Sequence, residues 1–159
     1  MEKIFDDFCK SLEEKKDYVK LLADRKLQLE VWFEVEMYML LDQQGVEFKT
    51  EKEYPDKKGW FADLKVEEKN LVEVKVRLLK SGFGSILNRT VKEAFGRLSK
   101  GVKDRMVSKW CLVIIYPLLR SKEQLAKIDD ENANIQIARR YSFDIDDKND
   151  CLVLLYRMS

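Results

Sequence analysis

Asp63 and the tripeptide Glu73-Val74-Lys75 sit in two apolar runs, Phe61-Ala62-Asp63-Leu64-Lys65-Val66 and Leu71-Val72-Glu73-Val74-Lys75-Val76, with a short polar stretch between them. Valines at alternate positions of the second run require a β-strand, because residues two apart in a strand share a face. Glu73 and Lys75 therefore point the same way, and Asp63 can reach them from a partner strand. Two carboxylates and an amine meeting at one point are the parts of a metal site with a proton-handling cation beside it.

What else the chain can do is narrowed by what it lacks. It contains no histidine, so a Ser-His-Asp triad, a Cys-His dyad, a histidine-dependent ribonuclease and a His-ligated zinc are all excluded. Cys9, Cys111 and Cys151 are odd in number and widely spaced, which speaks against a zinc or disulfide framework. Cys111 and Cys151 lie in apolar strands and read as buried thiols. The remaining chemistry must use carboxylates, lysine, tyrosine or a metal held by oxygen.

At 159 residues, 45% hydrophobic and 37% charged, with two prolines and six glycines, the chain reads as a single α/β domain, not a disordered one. No apolar run approaches the length needed to span a bilayer. The acidic start Met1-Glu2-Lys3-Ile4-Phe5-Asp6-Asp7 lacks the basic and apolar regions of a signal peptide. A cytoplasmic protein without membrane contact is expected. The formal net charge of +1 hides an asymmetry, since acids crowd the N-terminal third and residues 75–109 are basic.

Periodicity predicts an amphipathic helix over residues 2–24 and a second over 27–44, ended by Gly45. The second is rich in large apolar residues and encloses Glu30, Glu34 and Glu36. A strand is expected over 46–54, a turn at 55–59, and a hairpin of strands 60–66 and 71–78. Ser81-Gly82-Phe83-Gly84-Ser85 reads as a flexible link into a third helix. That helix places Val91, Phe95, Leu98 and Val102 on one side and Arg89, Lys92, Arg97, Lys100, Lys103 and Arg105 over much of the rest. The unbroken apolar run from Cys111 to Tyr116 predicts a strand buried on both faces. A short helix over 121–129 and a closing hairpin of strands 141–145 and 151–156 complete the chain. The acidic run Asp144-Ile145-Asp146-Asp147-Lys148-Asn149-Asp150 lacks the glycine and glutamate of a calcium loop and reads as a hairpin turn. Trp32, Phe33 and Trp110 read as core aromatics.

Glu-x-Lys occurs five times, but only the copy at Glu73 is embedded in alternating valines. With Asp63 before it, a glutamate-bearing helix upstream and a basic helix then an apolar strand downstream, this order resembles the PD-(D/E)XK nuclease superfamily. The resemblance spans about residues 27–116 and includes some similarity to archaeal Holliday-junction resolvases. In those resolvases a helix glutamate sits eleven residues before the terminating glycine, and Glu34 has that spacing to Gly45; Glu36 is the close alternative. The superfamily's first acid often follows proline, whereas Asp63 follows alanine. Asp56, in a literal Pro-Asp pair, is the fallback.

The resemblance implies a restriction-endonuclease-like α/β core, a central mixed β-sheet flanked by helices, with an N-terminal helical extension and a C-terminal β-hairpin. It implies a metal-dependent endonuclease acting on nucleic acid, DNA ahead of RNA, with a homodimer expected. Mg²⁺ or Mn²⁺ would be held by Asp63, Glu73 and the Val74 carbonyl, with Glu34 binding a second metal or placing a water. Lys75, its pKa lowered by burial and the neighbouring cation, would orient the nucleophile. Arg89, Lys92, Arg97, Lys100 and Lys103 would neutralise phosphates, and Gly82 and Gly84 would let the backbone approach one. The competing expectation is a non-catalytic module on the same fold, binding nucleic acid or another protein.

Overall fold

A computed structural model describes residues 1–25, 29–54, 56–78, 83–103, 106–119 and 135–158. The described helices are α1 (Glu2–Glu14), α2 (Lys16–Asp24), α3 (Leu29–Gln43) and α4 (Phe83–Gly101). The strands are β1 (Phe48–Tyr54), β2 (Lys57–Val66), β3 (Asn70–Leu78), β4 (Ser108–Leu119), β5 (Ile135–Asp144) and β6 (Asn149–Met158).

The strands form one six-stranded mixed sheet in the order β1-β2-β3-β4-β6-β5. Only β3 and β4 run parallel, because α4 carries the chain across one face of the sheet between them; the other neighbours are antiparallel. Helices α1, α2 and α3 bury Phe5, Phe8, Leu12, Val19, Phe33 and Met37 against Val72, Val74, Leu112 and Ile114 on one face. On the other face α4 buries Val91, Phe95, Leu98 and Val102 against Leu71, Cys111, Val113 and Ile115. A sheet covered on both sides needs continuous apolar central strands, and Cys111–Tyr116 is buried without interruption as expected.

Several sequence expectations are corrected. The single helix over residues 2–24 is two, α1 and α2, broken at Lys15. No glycine or proline marks the break; it falls where Lys15 forms an ion pair with Glu36 of α3. The turn at 55–59 contracts to the link between Tyr54 and Lys57, which pair directly, so β2 begins at Lys57 rather than at Trp60. The β5–β6 hairpin is present, but β6 lies between β4 and β5, and Cys151–Tyr156 is wholly buried. Gly84 is inside α4 rather than in a link. Gly82, Arg105 and the expected helix over 121–129 lie outside the described residues.

Other signals hold. Gly45 adopts φ +64°, and the Val46 and Gly45 N–H groups donate to the Leu41 and Asp42 carbonyls, the paired bonds of a glycine-ended helix. The acidic run binds itself: Asp146 accepts from the Lys148 and Asn149 backbone N–H groups at 3.0 and 2.9 Å. All three cysteines are buried and free, and Phe33 and Trp110 are buried. Among the described residues, no helix is long and apolar enough to cross a membrane.

Candidate active site

The site begins where the β2–β3 hairpin comes apart. These strands pair only at Leu64↔Val72, Lys65↔Leu71 and Val66↔Asn70. One step further the same register would set Asp63 opposite Glu73, but the ladder has ended. A partly buried backbone N–H that loses its strand partner must find another acceptor. The Val74 N–H finds the side chain of Asp63, donating to Oδ2 at 2.7 Å. On its other edge β3 stays paired with β4 from Asn70 to Leu78, so Glu73, Val74 and Lys75 are held rigidly at the mouth of the gap.

Glu73 is fully buried. Its Oε1 accepts a hydrogen bond from the Tyr54 hydroxyl at the end of β1. Its Oε2 has no hydrogen-bond donor. That atom lies 3.3 Å from Lys75 Nζ and 3.9 Å from Arg97 Nη1, near enough for electrostatic attraction but without the alignment of a hydrogen bond. Burial, reinforced by the Asp63 charge, raises the Glu73 pKa; Tyr54, Lys75 and Arg97 act in the opposite direction.

Lys75 occupies the centre. Its Nζ donates to the Val74 carbonyl at 2.6 Å, to Glu30 Oε1 at 3.2 Å and to Asp63 Oδ2 at 3.3 Å. Burial pushes its pKa down, but Asp63, Glu30 and Glu73 together outweigh burial and raise it. The expected lowered pKa is therefore overturned for this arrangement: ringed by three carboxylates, Lys75 is an ammonium ion and serves as a fixed positive charge and donor.

Helix α3 supplies the acidic wall. Glu30, Glu34 and Tyr38 recur every fourth residue and so share one helix face. Glu30 reaches Lys75 and, at 3.5 Å, the Val76 N–H. The Tyr38 hydroxyl interacts with Glu34 and donates to the Asp63 carbonyl at 3.4 Å. Burial first, then the charges of Asp63 and Glu30, push the Glu34 carboxyl up to about 7, against the pull of Lys75 and Tyr38.

The Glu34 shift has a consequence for folding. An acid raised in the folded state leaves that state binding more protons, so stability falls as pH rises between the ordinary glutamate value of 4.5 and about 7. Glu34→Gln is expected to flatten that part of the stability profile. Chemical denaturation of both proteins across the window checks it, and a decline of unchanged steepness would refute it.

The structure brings Asp63, Glu73, the Val74 carbonyl, Lys75 and Glu34 together. The two alternatives lie elsewhere. Glu36 is ion-paired with Lys15, and Asp56 accepts from the Lys103 backbone N–H at 2.7 Å, fastening the end of α4 to the β1–β2 turn. Arg97 sits beside Glu73 while remaining half exposed. Arg89 is exposed and 3.9 Å from Glu93 one helical turn on, and Lys92, Lys100 and Lys103 are exposed. Sequence reasoning missed Glu30 and Tyr54 as members of the cluster. Glu30 was detectable, being one turn before Glu34 on the same face; Tyr54 had no signal beyond an aromatic at a strand end.

Among the described residues no three acidic or cysteine side chains stand ready-made as a metal cage; the oxygens converge on an ammonium group instead. The donor set nevertheless suits a hard cation: a buried carboxylate oxygen without a hydrogen bond on Glu73, the Asp63 carboxylate and the Val74 carbonyl. No protein-family model, curated protein or solved structure matches the chain.

Proposed function

We propose that this chain is a metal-dependent endonuclease of the restriction-endonuclease-like, PD-(D/E)XK type, hydrolysing phosphodiester bonds of nucleic acid, with DNA the favoured substrate. The observation that carries the reading is Glu73 Oε2, a fully buried carboxylate oxygen without a hydrogen bond, beside Asp63 and Lys75. A buried anion left partly unsatisfied is costly, and a bound divalent cation removes that cost. The order α3-β1-β2-β3-α4-β4, with β3 and β4 parallel, supports the fold assignment.

Asp63, Glu73 and the Val74 carbonyl would hold Mg²⁺ or Mn²⁺, and Glu34 has the chemistry to place a second ion or a water. When bound, the metal polarises the phosphate and makes a hydroxide-like nucleophile available. Lys75 contributes positive charge where negative charge gathers on the phosphoryl oxygens. Arg97, at the rim, meets the same charge from solvent. The exposed cations of α4 bind backbone phosphates without reading bases, and a homodimer would present two such sites to a duplex.

A second reading, a non-catalytic binding module, is favoured by one observation: Lys75 Nζ already fills the centre of the cluster and bonds the Val74 carbonyl. Metal binding separates the two. Calorimetric titration with Mn²⁺ is expected to show binding to the wild type and its loss in Asp63→Asn and Glu73→Gln. Cleavage of plasmid, single-stranded, branched DNA and RNA substrates should fall to background in both variants. A wild type that neither binds Mn²⁺ nor cuts any substrate would leave the binding module standing.

A further inference from the structure

A cavity of about 650 Å³ lies away from the carboxylate cluster, between the end of α4, the start of β4 and the end of β6. Its lining includes Ser99, Lys103, Ser108, Lys109, Arg157 and Met158, and no acidic side chain among the described residues. Acids nearly equal bases in this chain, 29 against 30, so a concave site with three cations and no acid is a local departure from the average. None of the three cations forms an ion pair among the described residues. Arg157 is steadied by lying over the Trp110 ring, 5.3 Å from its centroid, a cation–π contact that fixes the guanidinium without neutralising it. Three unneutralised cations with two hydroxyls at one concavity match the charge and acceptor count of a phosphate group.

The placement relative to the candidate active site is informative. Glu73 and Lys109 both face the α4 side of the sheet, Glu73 against Arg97 and Lys109 against the cavity at the helix end. Arg97 and Lys103 are six residues apart, about 9 Å along a helix, within reach of one continuous nucleic-acid backbone. We propose that this pocket is a second phosphate-binding site, which takes a backbone phosphate of the substrate nucleic acid on the strand leading away from the scissile bond. The proposal rests on the nuclease reading and adds to it a fixed exit path for the substrate along the C-terminal end of α4.

Fluorescence anisotropy with a short fluorescein-labelled DNA duplex, in EDTA so that nothing is cut, provides the test. Lys103→Gln/Lys109→Gln is expected to weaken binding roughly tenfold at low salt and to reduce the slope of log affinity against log salt by about two, one for each lost phosphate contact. Lys16→Gln/Lys148→Gln, which removes the same charge from exposed positions elsewhere, should change the slope far less. Thermal unfolding confirms that each variant is folded; if the pocket double variant is not, Lys109→Gln alone should lower the slope by about one. An unchanged slope in the pocket variant, or an equal loss in the control pair, overturns the pocket. A wild type that neither binds the duplex nor cuts it fails the nuclease reading itself, whereas a wild type that cuts while the pocket variant binds equally well refutes the pocket alone.

Discussion

Lys75→Ala is expected to abolish most metal-dependent cleavage and to destabilise the fold at the same time. The catalytic loss should be on the order of 10²–10³-fold, the scale of removing one preorganised electrostatic donor from an active site. The structural loss has a separate origin. Lys75 is the one cation touching Glu30, Asp63 and Glu73 together, and its removal leaves mutually repelling carboxylates around a buried glutamate. Stripping one partner from a buried ion cluster costs about 3–5 kcal/mol, well above the ~1 kcal/mol scale of an exposed pair.

The sign of the pH effect follows from Glu73. Its pKa is already raised in the folded state by burial and by Asp63, so it withdraws stability as pH climbs past the ordinary glutamate range. Without Lys75 that rise is larger, and the withdrawal extends to higher pH. The deficit of Lys75→Ala relative to wild type should therefore be greatest on the alkaline side and shrink on acidification, as Glu73 takes up a proton. Urea denaturation of wild type, Lys75→Ala and Lys75→Met across this range separates charge from packing, since methionine restores bulk without charge. A deficit that is flat with pH, or wholly restored by methionine, would contradict the electrostatic account.

The second large effect concerns two glycines of one helix. Gly96 and Gly101 both lie in α4, where glycine is about 1 kcal/mol worse than alanine by propensity. A Cβ at position 96 would meet nothing within 4 Å, whereas one at position 101 would stand 2.5 Å from Tyr54 Cγ and nearer still to Cδ2. Cγ is the root of the ring, so the clash cannot be relieved at the far end of a flexible side chain. Overpacking of this kind costs about 1–3 kcal/mol or more, enough to reverse the propensity gain. Tyr54 also donates to Glu73 Oε1, so displacing the ring removes the carboxylate's one hydrogen bond. Gly96→Ala should raise the melting temperature and leave Mn²⁺ binding alone; Gly101→Ala should lower it and perturb Mn²⁺ binding. Calorimetric scans and titrations decide the matter, and a stabilised Gly101→Ala would show that Tyr54 yields freely.

How much of this was legible depended on whether the signal was local. The alternation around Glu73 and Lys75, the glycine ending α3 and the apolar run of β4 are patterns over a few residues, and each appears as an element near the expected place. The break at Lys15 has no local marker, since it accompanies a contact with Glu36 in another helix. The central position of β6 was hidden because an apolar run states that a strand is buried, not which neighbours bury it. Asp56 and Glu36 carried motif spacing as good as their rivals, and only their partners, the Lys103 backbone N–H and Lys15, show them engaged elsewhere.

The sequence by itself determined which side chains could share a face: Glu73 with Lys75 along a strand, and Glu30 with Glu34 and Tyr38 along a helix, because those periods are fixed by backbone geometry. Only the tertiary structure decided what those faces meet. The β2–β3 ladder ends at Leu64, which turns the Asp63 carboxylate to the Val74 N–H. Tyr54 comes under Glu73 because Gly101 leaves room for its ring. Lys75, which burial alone would push towards neutrality, stays charged because three carboxylates from different parts of the chain surround it. Charge interactions depend on distance in space, and distance in space between residues far apart in the chain is what a linear sequence does not state.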